Sequence, residues 1–306
     1  MTTQFDMSSF RKNGINYLFD NSIMFMPLFR EESGFASLGL KIYAEFTTLL
    51  NTISRSGETE EVRVRAAAIL RESAIPNDQL IRSFWIDPKQ FLLILYIAYE
   101  QTGIDGVRAV HEVFRKSPTA RWMERYPIED IYLTSLFDYF GLDFGIELKS
   151  AYLRNVSYSP NIPDHLDHTV GYLATHGIIY ATLWGKNPAA LSRVNIDGIC
   201  AAFVNSVPTW IGQLEIDLCY EVLICLRIMG RDEELHKVKA LLADIASRDH
   251  SDFGFNVPLQ SSRFREQALV WSSFDNAVNC LEYYHIMLLA GIEPICHIPE
   301  GSMAAS

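Results

Sequence analysis

The sequence predicts an all-α protein whose helical hairpins form an α/α toroid, with an irregular α-solenoid as the alternative. Apolar residues recur at helical spacing along most of the chain, and helix ends are marked repeatedly. Asp87-Pro88 starts one apolar segment, for example, and Gly103 stops it. No stretch alternates between apolar and polar residues for long enough to predict a sheet. Short turns between the helices favour antiparallel neighbours stacked as hairpins.

The helical patterns cover residues 8–26, 33–55, 60–73, 77–85, 89–101, 105–116, 127–140, 144–155, 167–185, 195–206, 209–229, 231–247 and 265–290. We expect them to form one helical domain over residues 1–297. A half-boundary is expected near residues 157–163, where two prolines and several polar residues interrupt the helices. Residues 298–306 have little to bury and are expected to be a flexible tail.

Composition limits the classes of function. A chain of 306 residues, 49% of them hydrophobic, can bury a large core. The formal net charge of -11 and the lack of any run of lysines and arginines argue against a nucleic-acid partner. The five cysteines are odd in number and form no C-x-x-C pair, so we expect reduced core residues.

Hydropathy predicts the location of the protein. The N-terminal residues lack the charged segment followed by an apolar segment that marks a secretion signal. No apolar run approaches the roughly 18 to 20 residues that cross a bilayer. We therefore expect a soluble cytoplasmic protein that has no membrane partner.

Residues 164–180 contain three of the eight histidines in an otherwise apolar helical pattern. Four side chains recur every four residues on one face of it: His168, Tyr172, His176 and Tyr180. Thr175 lies beside them. Polar groups on a buried face need hydrogen-bond partners, so this stripe is either a satisfied core network or the wall of a polar pocket. In the pocket interpretation the two histidines and Tyr180 are candidate catalytic groups, whereas Tyr172 and Thr175 are candidate substrate-binding groups.

Each histidine also has a structural explanation. His176 precedes Gly177, which lets another helix or a ligand approach closely and so favours a pocket lining. A core histidine that bonds a tyrosine or a carbonyl is the alternative. His168 lies near the predicted helix start, where helix capping and charge pairing with Asp164 and Asp167 explain it equally well.

The histidines do not predict a metal site. His168 and His176 are two helical turns apart, about 12 Å, which is too far for one ion. His165 and His168 form a local cluster with Asp164, but the spacing matches no recognised zinc or di-iron pattern. The chain also lacks a P-loop, a G-x-S-x-G and a dinucleotide fingerprint, and we expect no cofactor.

The following predicted helix carries two candidate catalytic carboxylates. Asp217 and Glu221 are four residues apart and share a face, whereas Glu215 is expected to point elsewhere. In a low-dielectric cavity with His176, they supply an acid, a base and an orienting group. The alternative is that they cap a neighbouring helix or pair with arginines, such as Arg227 or Arg193.

The last predicted helix adds aromatic and acidic residues at helical spacing. Asp275 is a further candidate catalytic group, and Trp271 and Phe274 are candidate substrate-binding residues. The alternative is that the two aromatic residues are core and that Asp275 faces outward or pairs.

Three blocks of sequence carry a resemblance to a known family. They are Tyr172, Thr175-His176, Tyr180-Ala181-Thr182 with Gly185; Glu215-Ile216-Asp217-Leu218-Cys219-Tyr220-Glu221-Val222-Leu223; and Asp252-Phe253-Gly254. Together they resemble an uncharacterised family of all-helical bacterial proteins encoded in natural-product gene clusters. More distantly, the Asp-x-Gly loop is similar to those of the α/α toroids of the terpenoid-cyclase superfamily, which implies a fold rather than an activity.

Two classes of function agree with these features. The resemblance implies a tailoring enzyme of natural-product biosynthesis, an isomerase or cyclase acting on a peptide or a small molecule. Its acid-base chemistry, such as epimerisation or cyclisation, would need no cofactor. The alternative is a non-catalytic helical binding module that recruits a precursor peptide or a partner enzyme. Either class is compatible with a homodimer or with a complex containing a partner biosynthetic enzyme.

Overall fold

A computed structural model describes residues 12, 15–16, 18–20, 22–27, 29–30, 34–35, 37–117, 125–142, 149–213 and 215–248. Its α-helices are α1 (Ser37–Arg55), α2 (Glu60–Glu72), α3 (Asn77–Ile86), α4 (Phe91–Thr102), α5 (Ile104–Arg115), α6 (Pro127–Phe140), α7 (His168–Ala181), α8 (Ile196–Gly212), α9 (Ile216–Ile228) and α10 (Asp232–Arg248). The all-α prediction is confirmed.

Residues 12, 15–16 and 18–20 are also helical, and the described structure contains short 3₁₀ turns and one small ladder besides. The turns are Ser22–Phe25, Pro88–Gln90, Lys149–Arg154, Val156–Tyr158 and Pro188–Arg193. The strands β1 (Phe29–Arg30) and β2 (Gly34–Phe35) pair antiparallel, with Phe29 opposite Phe35. This two-residue ladder was not predicted, because it is too short to show an alternating pattern.

The helices pack as sequential hairpins with additional contacts between hairpins. α1 packs on α2, α4 on α5, α6 on α7, and α9 on α10. α1 also packs on α4, and α7 packs on α9. One continuous cluster of buried apolar residues reaches from Ile15 to Leu242. The described cysteines, Cys200, Cys219 and Cys225, are buried and form no disulfide.

The predicted boundary between helices 195–206 and 209–229 was wrong. α8 continues through Pro208 to Gly212, and α9 begins only at Ile216. A proline removes one helical hydrogen bond, but the buried neighbours Val207 and Trp210 hold the helix together across it. Because α9 begins only at Ile216, Glu215 lies before the helix and not within it.

Two other predictions concern the expected half-boundary and the C-terminal region. The Val156–Tyr158 turn and the non-helical residues after it occupy the expected half-boundary near 157–163. The predicted helix 265–290 and tail 298–306 lie outside the described residues. Among the helices that are described, none has both the length and the apolar character needed to cross a membrane.

A buried ion pair connects α4 to the turn after α7. Lys186 Nζ lies 2.8 Å from Glu100 Oε1, and Asn51 Nδ2 donates to the other carboxylate oxygen over 2.7 Å. Only 1% of the Glu100 side chain is exposed. Since a buried carboxylate needs a countercharge and hydrogen bonds, this contact fixes the turn against α1 and α4.

The turn itself has an uncommon backbone. Leu183, Trp184 and Gly185 all have positive φ, at 48°, 60° and 83°. Positive φ is costly for residues that carry a Cβ, so the neighbouring structure has to hold them there. Leu183 is fully buried, and the Trp184 amide donates to the Ile179 carbonyl over 2.9 Å.

Two glycines let α7 pack unusually closely on its neighbours. A Cβ at Gly171 would lie 2.7 Å from Trp210, and a Cβ at Gly177 would lie 2.5 Å from Asn155. The amide of Asn155 instead donates to the Leu173 carbonyl over 2.6 Å. These contacts are on the side of α7 away from the histidine stripe, and they fix the rotation of the helix.

Replacing Gly177 with alanine is expected to destabilise the protein by about 1–3 kcal/mol, because the new methyl group overlaps buried Asn155. Gly212→Ala is the matched control, since a Cβ there has nothing within 4 Å and alanine favours the helix. Urea unfolding of the two variants checks this, and equal changes in midpoint would contradict the packing described for α7.

Candidate functional site

The histidine stripe forms a ladder of rings along α7. Asp167 caps the helix start, and its carboxylate accepts from the Val170 amide over 2.9 Å. Ring centroids follow one another at 4.8 Å, 5.6 Å and 5.2 Å in the order His168, Tyr172, His176 and Tyr180. The side chains expected on one face are therefore in contact.

His176 forms the central contact of the site with Glu221 of α9. Its Nδ1 lies 3.3 Å from Glu221 Oε2 and 3.0 Å from the Tyr172 carbonyl oxygen. The Thr175 hydroxyl donates to the same Glu221 oxygen over 2.5 Å. The Glu221 side chain is 12% exposed and the His176 side chain 27% exposed, so the pair lies at the edge of the core.

These acceptors determine where the proton of a neutral His176 lies. Both groups near Nδ1 are oxygen acceptors, so Nδ1 carries the hydrogen and Nε2 carries the lone pair. Among the described residues, Nε2 has no hydrogen-bond partner. An imidazole with one nitrogen held by a carboxylate and the other unoccupied has the arrangement of a general base.

His168 makes a different pair. Its Nε2 lies 3.0 Å from Glu215 Oε2, immediately before α9. The expectation that Glu215 points elsewhere was wrong, because the chain breaks between α8 and α9 at this residue. Since Nε2 is the nitrogen that Glu215 binds, His168 stabilises the start of α7 and is less suited to proton transfer than His176.

The two pairs show that α7 and α9 run in the same direction. The residue numbers of the contacting pairs increase together along both helices, from His168 with Glu215 to His176 with Glu221. Further along α9, the Cys225 thiol lies 3.6 Å from the Thr175 carbonyl. Parallel neighbours follow because α8 returns the chain between them.

Arg227 and Arg193, the arginines considered as partners of Glu221, have described contacts with other residues. Arg227 lies 3.3 Å from Asp232, and the Arg193 guanidinium lies over the Tyr152 ring at 5.0 Å. Glu221 contacts Thr175 and His176. Asp217 belongs to the first turn of α9, but its side chain lies outside the described part of the structure.

Glu45 of α1 is a carboxylate that sequence reasoning missed. It lies close enough to Glu221 and His176 for their charges to influence it, and its side chain is 19% exposed. Burial raises the pKa of Glu45 from its ordinary value of 4.5 to about 7, partly offset by Lys41. A signal was present, because Glu45 is the one carboxylate within the apolar body of α1.

The ring ladder continues into the core through tyrosines. Tyr180 contacts Tyr132 at 5.4 Å, and Tyr132 contacts Tyr96 at 5.8 Å. Burial raises the pKa of both Tyr180 and Tyr132 well above the usual phenol range, with nearby carboxylates adding to it. Tyr180 therefore stays protonated and can donate a hydrogen bond, but it is a poor proton acceptor.

Four candidate residues remain. Trp271, Phe274 and Asp275 lie outside the described residues. His165 is exposed at the surface before α7. Within the described ranges, no set of three histidine, cysteine, aspartate or glutamate side chains is close enough to hold a metal ion.

The fold and the site define an all-α protein with a histidine-carboxylate pair at the edge of its core. The family model described as "Domain of unknown function (DUF6895)" matches residues 18–285, and the chain belongs to this family. The matched range contains every candidate residue discussed above. No curated protein and no solved structure matches the chain.

The two histidines are expected to be opposite tautomers when neutral. His176 should carry its hydrogen on Nδ1, because a carbonyl and a carboxylate face that nitrogen, whereas His168 should carry it on Nε2, which faces Glu215. Nitrogen-15 NMR of histidine-labelled protein, assigned with the two alanine variants, measures both. Protonation of neutral His176 on Nε2 would contradict the geometry.

Glu45→Gln is expected to change the pH dependence of stability. Because the folded pKa of about 7 lies above the ordinary value of 4.5, the free energy of unfolding falls as pH rises through this window. At about 1.4 kcal/mol for each pKa unit, the free energy of unfolding of the wild type falls by about 3 kcal/mol over this window. The glutamine variant does not show this fall, because its side chain does not titrate. Urea unfolding from pH 4 to pH 8 checks this, with Glu72→Gln, an exposed residue of α2, as control. Parallel curves for Glu45→Gln and wild type would show that Glu45 titrates normally.

Proposed function

We propose that this protein is an enzyme that isomerises or cyclises a small molecule or a peptide by acid-base chemistry without a cofactor. The contact between His176 and Glu221 carries the proposal, because it leaves Nε2 available to a substrate. Tailoring in natural-product biosynthesis is the proposed setting, and it rests on the sequence resemblance. A cytoplasmic location and a partner other than nucleic acid or a membrane are part of the proposal, supported by the net charge of -11.

His176 would take a proton from the substrate at Nε2 and return one from the same atom. The imidazolium formed in this step would keep its Nδ1 hydrogen on the Tyr172 carbonyl and beside the Glu221 carboxylate, which stabilises the positive charge. Thr175 donates to Glu221 and so fixes the carboxylate. Glu221 and Thr175 are therefore positioning residues, which act on the substrate through His176.

The rings beside His176 would form the walls of the site. Tyr172 and Tyr180 contact the imidazole on either side along α7, at 5.6 Å and 5.2 Å between centroids. Their faces offer apolar area to a substrate, and the Tyr180 hydroxyl is a donor for negative charge that develops on an oxygen.

A closed α/α toroid is the arrangement we propose for the helices around this site. α1 packs on α4, Tyr96 of α4 contacts Tyr132 of α6, and α6, α7 and α9 follow by direct packing. The negative charge of Glu221 on α9 raises the pKa of Glu45 on α1, which agrees with closure of the ring. An irregular solenoid would instead leave α1 and α9 far apart.

His176→Ala is expected to lower turnover by about two to four orders of magnitude with the fold intact, because the acid-base group is lost. Glu221→Gln should cause a smaller loss, since the Tyr172 carbonyl still holds Nδ1. The measurement is mass and chiral analysis of products from cells that co-express this protein with its neighbouring biosynthetic genes, grown in ordinary water and in D2O.

His236→Ala is the matched control for this experiment. His236 also has Nδ1 against the carbonyl four residues earlier in its helix, but it lies exposed on α10, apart from the ladder. Full turnover in His176→Ala would overturn the proposal. If wild type changes no product yet retains a precursor peptide in a pull-down, the protein is the recruiting module instead.

A further inference from the structure

We propose that one buried water molecule joins the hydroxyl of Tyr132 to the carboxylate of Glu100. The site lies inside the fold, where α4, α6 and the turn after α7 meet. This water takes no part in the reaction proposed for His176. Its role is to complete the hydrogen bonds of two buried groups and so to attach α6 to the ion pair of Glu100 and Lys186.

The Tyr132 hydroxyl is a buried donor that has no hydrogen-bond partner in the part of the chain that the structure describes. Only 4% of the residue is exposed. Its ring contacts two others, at 5.8 Å from the ring of Tyr96 and 5.4 Å from that of Tyr180. Buried hydroxyls are nearly always bonded to protein or to ordered water. Since no described side chain accepts from Tyr132, water is the acceptor to expect.

Glu100 offers acceptor sites that its described bonds do not use. Its Oε1 accepts from Lys186 Nζ over 2.8 Å, and its Oε2 accepts from Asn51 Nδ2 over 2.7 Å. An ionised carboxylate has about four lone-pair sites, so these two side-chain bonds occupy about half of them. Bulk solvent does not reach the rest, because only 1% of the side chain is exposed. A buried charge is stabilised by further hydrogen bonds to its lone pairs.

Helix packing brings the hydroxyl and the carboxylate to the same side of α4. Glu100 follows Tyr96 by four residues, so the two side chains share a face one turn apart. Tyr132 packs on that face through the ring of Tyr96. After burial, the negative charge of Glu100 is the next cause that raises the pKa of Tyr132, which agrees with this placement. Two buried polar groups that are close but not directly bonded are typically bridged by water.

The turn after α7 closes this region from solvent. Leu183 is fully buried, and the ring of Trp184 lies 6.4 Å from that of Tyr96. Lys186 Nζ lies 4.4 Å from the Tyr99 ring while it binds Glu100. The positive φ of Leu183 and Trp184 is costly, and such backbone persists only where the surrounding structure holds it. A water enclosed by this turn is therefore expected to be an ordered part of the fold.

The direction of the hydrogen bonds follows from the chemistry of the two groups. Burial raises the pKa of Tyr132 well above the usual phenol range, so the phenol keeps its proton and donates it to the water. The water in turn donates to Glu100, which has no hydrogen to give. These two bonds meet the lower end of the two to four that a buried water makes.

Tyr132→Phe tests the bridge in solution, because it removes the hydroxyl and keeps the ring. We expect the Tm to fall by about 1–3 °C, since the Glu100 carboxylate loses a bond that nothing replaces. Tyr139→Phe is the matched control on the same helix, and its half-exposed side chain should leave the Tm unchanged. If the Tyr132 hydroxyl has no partner, phenylalanine removes an unsatisfied buried group and the Tm stays the same or rises. That result would overturn the proposal.

A crystal structure of the wild-type protein, at a resolution that shows ordered water, tests the position directly. We expect density for one water at about 2.6–3.2 Å from both Tyr132 Oη and a Glu100 carboxylate oxygen. A direct bond between Tyr132 and Glu100, or a hydroxyl with no density within this distance, would overturn the proposal. The wild-type structure decides even if Tyr132→Phe does not fold.

Discussion

The close packing of α7 on its neighbours determines where the histidine face points. Gly171 leaves room for Trp210, and Gly177 leaves room for Asn155, so α7 packs closely on both neighbours. Close packing of one surface of a helix fixes the rotation of the helix about its axis. It therefore also fixes the direction in which the side chains of the opposite surface point. The ladder that includes His176 is therefore a consequence of small residues that take no part in its chemistry.

The charges around the ring ladder depend on which of its rings the carboxylates contact. Glu215 meets the start of α7 and Glu221 its centre, because α9 runs parallel to α7 with α8 between them. Glu45 of α1 is affected by the charges of Glu221 and His176. The two carboxylates that contact the ladder thus have different surroundings, since Glu221 lies beside His176 and Thr175 whereas Glu215 lies beside His168.

The sequence was informative wherever the signal was local. Apolar spacing and caps predicted most helices, and the four-residue recurrence predicted the His168 to Tyr180 face, since a helix fixes neighbours three and four residues apart. The direction of Glu215 failed because it assumed a helix that the chain interrupts. Glu45 was missed because its relation to Glu221 is set by packing across the fold, between residues that no local pattern connects. The pairing of Thr175 with Glu221 likewise required the structure.

The ion pair between Glu100 and Lys186 also affects how the chain can be divided. Its carboxylate belongs to the part before residues 157–163 and its ammonium to the part after them, yet the carboxylate side chain is 1% exposed. A polypeptide ending at that boundary would have to bury an unbalanced charge or take up a proton, both of which oppose folding. Neither part is therefore expected to fold when it is produced alone. The two parts are expected to be recovered in folded form when they are produced together.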